Sequence, residues 1–209
     1  MWNLLVEAEG RSGAENMARD EALLDEALRT GAAFLRLYRF DPPCWSIGRN
    51  DPAIVRQDVA MVRRPTGGRA VWHEHEVTYA VAAPIARFGG LKDAYCAIHE
   101  RLAAALRALG AEVSLADPRP IGRLSERPAD CFATTAGGEI LVRGRKLVGS
   151  AQVRRGEAFL QHGSILLDGP ETENATTLRQ ALGRRVTFDE VTDTILAAWP
   201  LHLAPLAAG

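Results

Sequence analysis

The sequence predicts an α+β fold, with a mixed and mostly antiparallel sheet and flanking helices, on three observations. The candidate strands outnumber the candidate helices, several neighbouring strands look antiparallel, and strands do not alternate regularly with helices. The chain has 209 residues, which suits one large domain, and its sequence shows no internal repeat, low-complexity tract or linker. We therefore expect a single domain over residues 1–209.

Three amphipathic helices are predicted from their caps and their apolar periodicity. Ser12 and Glu15 match a capping box ahead of the first helix, and Gly31 suits its carboxyl end. The second covers Lys92–Leu109, where apolar residues recur at steps of three and four. The third is expected over Thr187–Trp199, again with a glutamate three residues after the capping threonine.

The predicted strands are short segments rich in β-branched, aromatic and aliphatic residues. They are Phe34–Phe40, Cys44–Ile47, Val59–Arg64, Ala70–His73, Val77–Val81, Glu139–Val142, Lys146–Val153 and Phe159–Leu167, the last as one or two strands. The sequence Arg143-Gly144-Arg145 between two of them predicts a hairpin. Residues 117–130 contain three prolines and are predicted to form a loop.

The composition argues against several classes of function. The chain carries 25 Lys and Arg against 26 Asp and Glu, which disfavours nucleic-acid binding through a broad basic face. Since no apolar run approaches 18 residues, we expect no membrane span. Three widely spaced cysteines, without a recognisable signal peptide, indicate reduced thiols in the cytoplasm.

A pair of glycines between two candidate strands is the first segment that suggests chemistry. Gly67 and Gly68 allow the backbone to approach a ligand and to expose its N–H groups. The flanking Arg64 and Arg69 either hold an anionic substrate or brace the loop. The spacing matches neither the phosphate loop GxxxxGK[ST] nor GxGxxG, and a tight turn is the simpler interpretation.

The histidines do not predict a metal site. His73 and His75 would share one face of a strand, but no further ligand with zinc spacing is evident, so no bound metal is expected. His162 stands by itself between Gln161 and Gly163, a setting more typical of a hydrogen-bonded structural residue.

A cysteine and a lysine form the second candidate pair. Only Lys92 and Lys146 are lysines among the 25 cations, so each invites the question whether an ammonium is required there. Cys131 follows the proline-containing loop, and Lys146 lies fifteen residues later across the predicted hairpin region. A nearby cation would make Cys131 nucleophilic, although a single cysteine is more often a small buried residue.

Five motifs, taken together, resemble the lipoate-protein ligase and octanoyltransferase family, which shares its catalytic fold with biotin-protein ligases. They are MARDEALL at 17–24, SIGR at 46–49, RRPTGGRAVWH at 63–73, GRKLVGSAQ at 144–152 and QHGSILLD at 161–168. They occur in the family's order over most of residues 14–170. The resemblance implies a biotin/lipoate protein ligase-like catalytic domain.

Within that family, the sequence is most similar to the cysteine-dependent octanoyltransferases. The two-glycine loop, the sequence His73-Glu74-His75 and Cys131 ahead of the GRK sequence carry this similarity, and the length leaves no room for an accessory domain. The resemblance implies transfer of octanoate from octanoyl-acyl carrier protein, through a Cys131 thioester, to a lysine of a lipoyl domain. The acceptor would be a glycine-cleavage carrier protein or a 2-oxoacid dehydrogenase subunit, and no cofactor is needed.

The resemblance also implies roles for individual residues. Cys131 would be the nucleophile, and Lys146 would hold its thiolate and later polarise the acyl carbonyl. The implied substrate-binding residues are Arg64, Gly67, Gly68, Arg69, His73, Gly149, Ser150, Ala151 and His162. His73 and His162 would contact the substrate or support residues that do.

Three alternatives remain open at this point. An ATP-dependent lipoate-protein ligase would need ATP and Mg²⁺, and an amidotransferase would move the group between two lipoylated carriers. A domain that binds carriers without chemistry is the third. After Cys131-Phe132 the transferases tend to continue with Asp-Ala-Pro, whereas this chain has Ala-Thr-Thr at 133–135.

Overall fold

The fold is known from a computed structural model that describes residues 1–52, 60–116, 138–170 and 172–199, together with a strand at 203–205. The helices are α1 (Gly13–Thr30), α2 (Leu91–Ala108), α3 (Leu178–Leu182) and α4 (Phe188–Ala198). The strands are β1 (Trp2–Arg11), β2 (Ala33–Phe40), β3 (Cys44–Ile47), β4 (Met61–Arg63), β5 (Val71–His73), β6 (Glu76–Pro84), β7 (Val113–Leu115), β8 (Ile140–Val142), β9 (Arg145–Arg155), β10 (Ala158–Leu166) and β11 (Leu203–Pro205).

Eight of these strands form one mixed sheet in the order β11-β1-β2-β6-β10-β9-β8-β7. Strand β1 is parallel to both of its neighbours, and the other pairs in this sheet are antiparallel. The sequence therefore predicted the fold class and the mainly antiparallel pairing correctly.

The large sheet is covered on both faces, because successive side chains of a strand point to opposite sides. On β2, the even-numbered apolar residues such as Phe34 and Tyr38 join a core cluster with α1. The odd-numbered Leu35 and Leu37 join a larger cluster that includes α2 and α4. The two clusters hold helices against both faces and leave the middle strands fully buried.

A second sheet of three strands, in the order β4-β3-β5, lies beside the start of α1. The approach is close: a Cβ atom on Gly13 would lie 2.8 Å from Cys44 Sγ and 2.9 Å from a methyl group of Val62. Helix α1 therefore contacts both sheets, and the space between them becomes a pocket.

The helices begin and end where their caps predict. Ser12 and Glu15 form the reciprocal capping box of α1, and Gly31 adopts the left-handed conformation (φ 74°) that ends it. The predicted hairpin is also confirmed: Arg143 (φ 49°) and Gly144 (φ 80°) form a two-residue turn between β8 and β9.

The sequence did not predict β1, β7, β11 and α3. Most side chains of β1 are only half-buried or exposed, so the segment lacks the alternation of a strand with one covered face. Its conformation depends on backbone pairing with β2, more than twenty residues away. The predicted loop at 117–130 and the start of the predicted strand at Val59 lie outside the described residues.

In the part of the chain that the structure describes, no helix is both long and apolar enough to cross a membrane.

Candidate functional site

A pocket lies between α1, the α1-facing side of the large sheet and the small sheet. It is lined by Met17, Tyr38, Phe40, Ser46, Arg64, Val71, His73, Thr78, Gly149, Ser150, Ala151, His162, Gly163 and Ser164. Six of the predicted substrate-binding residues line it: Arg64, His73, Gly149, Ser150, Ala151 and His162.

Arg64 braces the glycine loop at the edge of this pocket. Its guanidinium donates to the backbone carbonyls of Gly67 (3.0 and 3.2 Å) and Arg69 (2.5 Å), and across the loop to that of Ser46 (2.9 Å). These bonds engage Nε, Nη1 and Nη2 in holding backbone. Of the two roles considered for Arg64, the geometry favours the brace.

The loop is also held by close backbone packing. Gly68 has φ 93°, in the left-handed region that favours glycine. Its carbonyl lies against Gly48, where a Cβ atom would collide with it. Gly67, Gly68 and Arg69 belong to this braced loop and are outside the described lining of the pocket.

One wall of the pocket contains a serine–histidine–glutamate chain. His73 Nδ1 donates to Glu76 Oε1 (3.0 Å), so in the neutral ring Nε2 accepts from the Ser46 hydroxyl (2.7 Å). Ser46 Oγ in turn accepts from Arg64 Nη1 (3.1 Å). All four side chains are buried, and His73 also stacks on Phe40 at 3.9 Å between ring centroids.

A second chain at the pocket, centred on the lining residue His162, joins a threonine, a histidine and an aspartate. His162 Nδ1 donates to Asp20 Oδ2 (2.8 Å), and in the neutral ring Nε2 accepts from the Thr66 hydroxyl (2.7 Å). The Asp20 carboxylate also accepts from Tyr38 (2.8 Å) and from the fully buried Arg36 (2.8 Å). Burial, followed by the charge of Asp20, raises the pKa of Tyr38 well above its ordinary value, so its hydroxyl remains a donor.

These two chains explain how a pocket with polar side chains can suit an apolar ligand. The hydroxyl and imidazole groups of Ser46, His73, Thr66 and His162 bond within the wall, which lowers their demand for a ligand's polar atoms. Apolar side chains, including Met17, complete the lining.

Ser150 belongs to a third buried network, on the side of the sheet that faces α2. Because a carbonyl only accepts, His99 Nδ1 donates to Gly138 O (2.5 Å). Burial lowers the pKa of His99 to about 4, with a smaller contribution from Lys146, so Nε2 accepts from Ser150 (2.8 Å). Tyr79 then donates to Ser150 Oγ (2.7 Å) and accepts from Gln161 (3.1 Å).

Gly163 makes the contact between Tyr79 and Ser150 possible. It lies on β10 between them, paired in register with Tyr79 on β6 and Ser150 on β9. A Cβ atom on Gly163 would lie 2.6 Å from Ser150 Oγ and 2.9 Å from Tyr79 Cε1, and would also collide with the backbone oxygen of Gly149. The missing side chain lets a hydrogen bond pass over the middle strand.

Lys146 lies on the opposite side of the sheet from this network, because it pairs with Leu141, whose neighbours Ile140 and Val142 belong to the core cluster that contains α2. Its ammonium group donates to Glu139 Oε1 at 2.6 Å, and the two side chains are 2% and 3% exposed. Lys146 lies three residues before the pocket residue Gly149, roughly 10 Å along a strand. Its predicted partner Cys131 lies outside the described residues.

The other two cysteines differ in burial. Cys44 is buried, and burial followed by the charge of Glu76 raises its thiol pKa to about 11, so it is a poor nucleophile at neutral pH. Cys96 is half-buried on α2.

His73 and His75 do not share a strand face as predicted, because β5 ends at His73. The side chain of His75 is 58% exposed, and its nearest acidic partner is Glu74 at 3.7 Å. Within the described residues there is no group of three or more His, Cys, Asp or Glu side chains suited to a metal ion.

Sequence reasoning missed the partners of the residues that it named. They are Asp20, Ser46, Thr66, Glu76, Tyr79, His99 and Glu139. Asp20, Ser46 and Thr66 stand within the recognised motifs, which was the available signal. Pairings such as Asp20 with His162, 142 residues apart, depend on sheet order and could not be inferred from spacing.

We expect Gly163→Ala to lower the free energy of unfolding by about 1–3 kcal/mol, because the added methyl group overpacks the site against backbone. Gly67→Ala is the matched control, since a Cβ atom there meets no heavy atom within 4 Å. Its expected change is within about 0.5 kcal/mol. Urea unfolding of both variants and the wild type measures this, and equal stabilities of the two variants would contradict it.

We also expect His99 to make the protein sensitive to acid. Its pKa is about 4 in the folded chain and about 6.5 when unfolded, so the unfolded state binds more protons between these values. Stability is therefore lost as pH falls from 6.5 to 4, by about 3 kcal/mol in the limit. Urea unfolding across this range should show a shallower pH dependence for His99→Gln than for the wild type. Parallel curves would show that His99 makes no such contribution.

The model of the lipoyl protein ligase A/B catalytic domain matches residues 12–173. Curated relatives include the octanoyltransferase LipM of Carboxydothermus hydrogenoformans, which is 44% identical over 75% of this chain and 61% of the relative. The octanoyltransferase LipM of Moorella thermoacetica is 38% identical over 88% of this chain and 80% of the relative. The match thus spans about three fifths and four fifths of these two relatives.

Solved structures show the same fold at lower identity. The T. acidophilum protein Ta0514 with bound lipoic acid has a TM-score of 0.77 at 21% identity, covering 98% of this chain and 89% of that one. Lipoate-protein ligase A bound with ATP also has a TM-score of 0.77 at 21% identity, covering 98% and 88%. With most of its length matched by the family model, and with relatives up to 44% identical, this chain belongs to the lipoyl protein ligase A/B catalytic-domain family.

Proposed function

We propose that this protein is an octanoyltransferase that moves octanoate from octanoyl-acyl carrier protein to a lysine of a lipoyl domain. The observation that carries the proposal is the pocket between the two sheets, whose polar wall groups bond to one another and which therefore suits an apolar acyl chain. Relatives named octanoyltransferases, at 31–44% identity, support the same reaction.

The proposed reaction has two half-reactions through Cys131. The Cys131 thiolate attacks the octanoyl thioester of the donor, the C–S bond to the carrier breaks, and the carrier thiolate leaves and takes up a proton. The uncharged amine of the acceptor lysine then attacks the Cys131 thioester. An amide bond forms, the C–S bond to Cys131 breaks, and an amine proton ends on the departing thiolate.

The charge of Lys146 supports both steps. A nearby ammonium group lowers the pKa of a thiol and stabilises the oxyanion that develops on the acyl carbonyl. Lys146 lies on the strand that supplies Gly149, Ser150 and Ala151 to the pocket, so strand β9 connects the charge with the acyl site.

The proposal extends to the remaining partners. The acceptor would be the lipoyl domain of a glycine-cleavage carrier protein or of a 2-oxoacid dehydrogenase subunit. The reaction needs no ATP, and the chain works as one catalytic domain. We propose the cytoplasm as its compartment, since a free thiol nucleophile persists there.

The first test is the mass of the intact protein after mixing with octanoyl-acyl carrier protein in the absence of ATP. We expect one octanoyl adduct in the wild type and none in Cys131→Ala. Cys44→Ala is the control and should form the adduct, because burial and the raised pKa make Cys44 unreactive. An adduct that persists in Cys131→Ala, or lipoate-dependent pyrophosphate release from ATP, would overturn the proposal.

The second test concerns the identity of the cation. We expect Lys146→Arg to fail to restore octanoyl transfer, because the planar guanidinium is bulkier than an ammonium and the site at residue 146 is 1% exposed. Lys92→Arg is the control, on the exposed start of α2. Rates of acyl-enzyme formation measure both, and a near-wild-type rate for Lys146→Arg would show that any cation suffices.

A further inference from the structure

The ion pair between Lys146 and Glu139 is the most buried acid–ammonium contact among the described residues. Glu139 directly precedes β8, and Lys146 is the second residue of β9. Nothing in the motifs that indicated Lys146 pointed to Glu139.

The hairpin turn brings the two residues together. After the two-residue turn at Arg143 and Gly144, Leu141 pairs with Lys146, but Ile140 pairs with Val148. The register shift skips one residue of β9, which is the signature of a β-bulge. Bulges commonly redirect a side chain, and here the bulge lies between the residues that form the ion pair.

The backbone around Lys146 is fixed as well. Its N–H donates to the carbonyl of Asn174 (2.9 Å), and its own carbonyl accepts from the N–H of Thr176 (3.0 Å). The segment at 174–176, which forms an isolated β-bridge to Lys146 at Ala175, therefore holds the backbone of Lys146 in place. The side chain that reaches Glu139 therefore starts from a fixed backbone and is itself buried.

The ammonium group of Lys146 is buried against the Glu139 carboxylate. An ammonium group removed from water becomes much easier to deprotonate, and a carboxylate at hydrogen-bond distance reverses that effect. Among the described residues, the pair contributes to the pKa shifts of His99 on α2, which is neutral because burial holds its pKa near 4, and of Tyr79 on β6, whose pKa is raised chiefly by burial. Neither group carries a negative charge. Of the described groups named here, Glu139 is therefore the one that supplies a negative charge next to Lys146.

We propose that Glu139 is a positioning residue for the acyl-transfer reaction, holding the Lys146 ammonium group charged and in place beside the reacting groups. The inference rests on the proposed octanoyl transfer, but the protonation of Lys146 can be measured without any transfer reaction. Glu139 takes no part in bond formation and acts only through Lys146.

The decisive measurement uses the fact that the chain has only two lysines. In protein labelled with ¹³C-lysine, NMR should show two side-chain signals, of which the exposed Lys92 is an internal reference. We expect Glu139→Gln to make Lys146 lose its proton at a pH at least about one unit lower than in the wild type, with Lys92 unchanged. Glu26→Gln, which removes the carboxylate of an exposed ion pair of similar length (2.7 Å), should leave both signals unchanged.

The inference is overturned if Lys146 titrates at the same pH in Glu139→Gln and in the wild type. Glu139→Asp, which keeps the charge, should restore most of the difference, and its failure to do so together with a correct fold would also overturn it. No donor or acceptor is needed, so this readout remains valid even if the test of octanoyl transfer fails.

Transfer rates then test the link to the reaction. We expect Glu139→Gln to slow acyl transfer at least about tenfold, because the ammonium group is no longer held in place, with a larger loss above the pH at which Lys146 of that variant loses its proton in the NMR titration. In a Lys146→Met background the same substitution should change nothing further. A second loss of the same size in that background would show that Glu139 does not act through Lys146.

Discussion

The carboxylate of Asp20 is the contact on which the arrangement of this molecule depends. It lies on α1, is fully buried, and accepts hydrogen bonds from Arg36 and Tyr38 of β2 and from His162 of β10. A buried charge is tolerated only when such partners surround it. The position of α1 over the large sheet and the orientation of His162 are therefore set by the same group, and His162 carries the effect on to Thr66 in the glycine loop.

The two hydroxyl–imidazole–carboxylate chains in the pocket wall have the residue types of hydrolytic triads, but their surroundings indicate another role. Ser46 Oγ accepts a hydrogen bond from Arg64, and the same guanidinium holds the backbone of Ser46, Gly67 and Arg69. The serine is thus part of the brace of the loop. Polar groups here give the pocket its shape, while the cavity surface remains suited to hydrocarbon.

Features set by local sequence could be predicted, and features set by long-range pairing could not. The ends of α1 follow from Ser12, Glu15 and Gly31, all within or next to the helix. Strand β1 is stabilised by a neighbour distant in sequence, and its own residues carry no strand pattern. The site follows the same rule: motifs indicated Lys146 and His162, whereas Glu139 depends on a β-bulge and Asp20 on the order of the sheet.

The burial of Lys146 beside Glu139 has a consequence for an enzyme that acylates lysine side chains. Such an enzyme holds an activated acyl group close to its own lysine amine, which could itself be acylated. A protonated amine has no lone pair with which to attack a carbonyl, so a Lys146 held as the ammonium partner of Glu139 would be inert as an acceptor. In the proposed reaction, the charge that supports the chemistry would also prevent acylation of Lys146 itself, and Lys92 is the only other lysine of the chain.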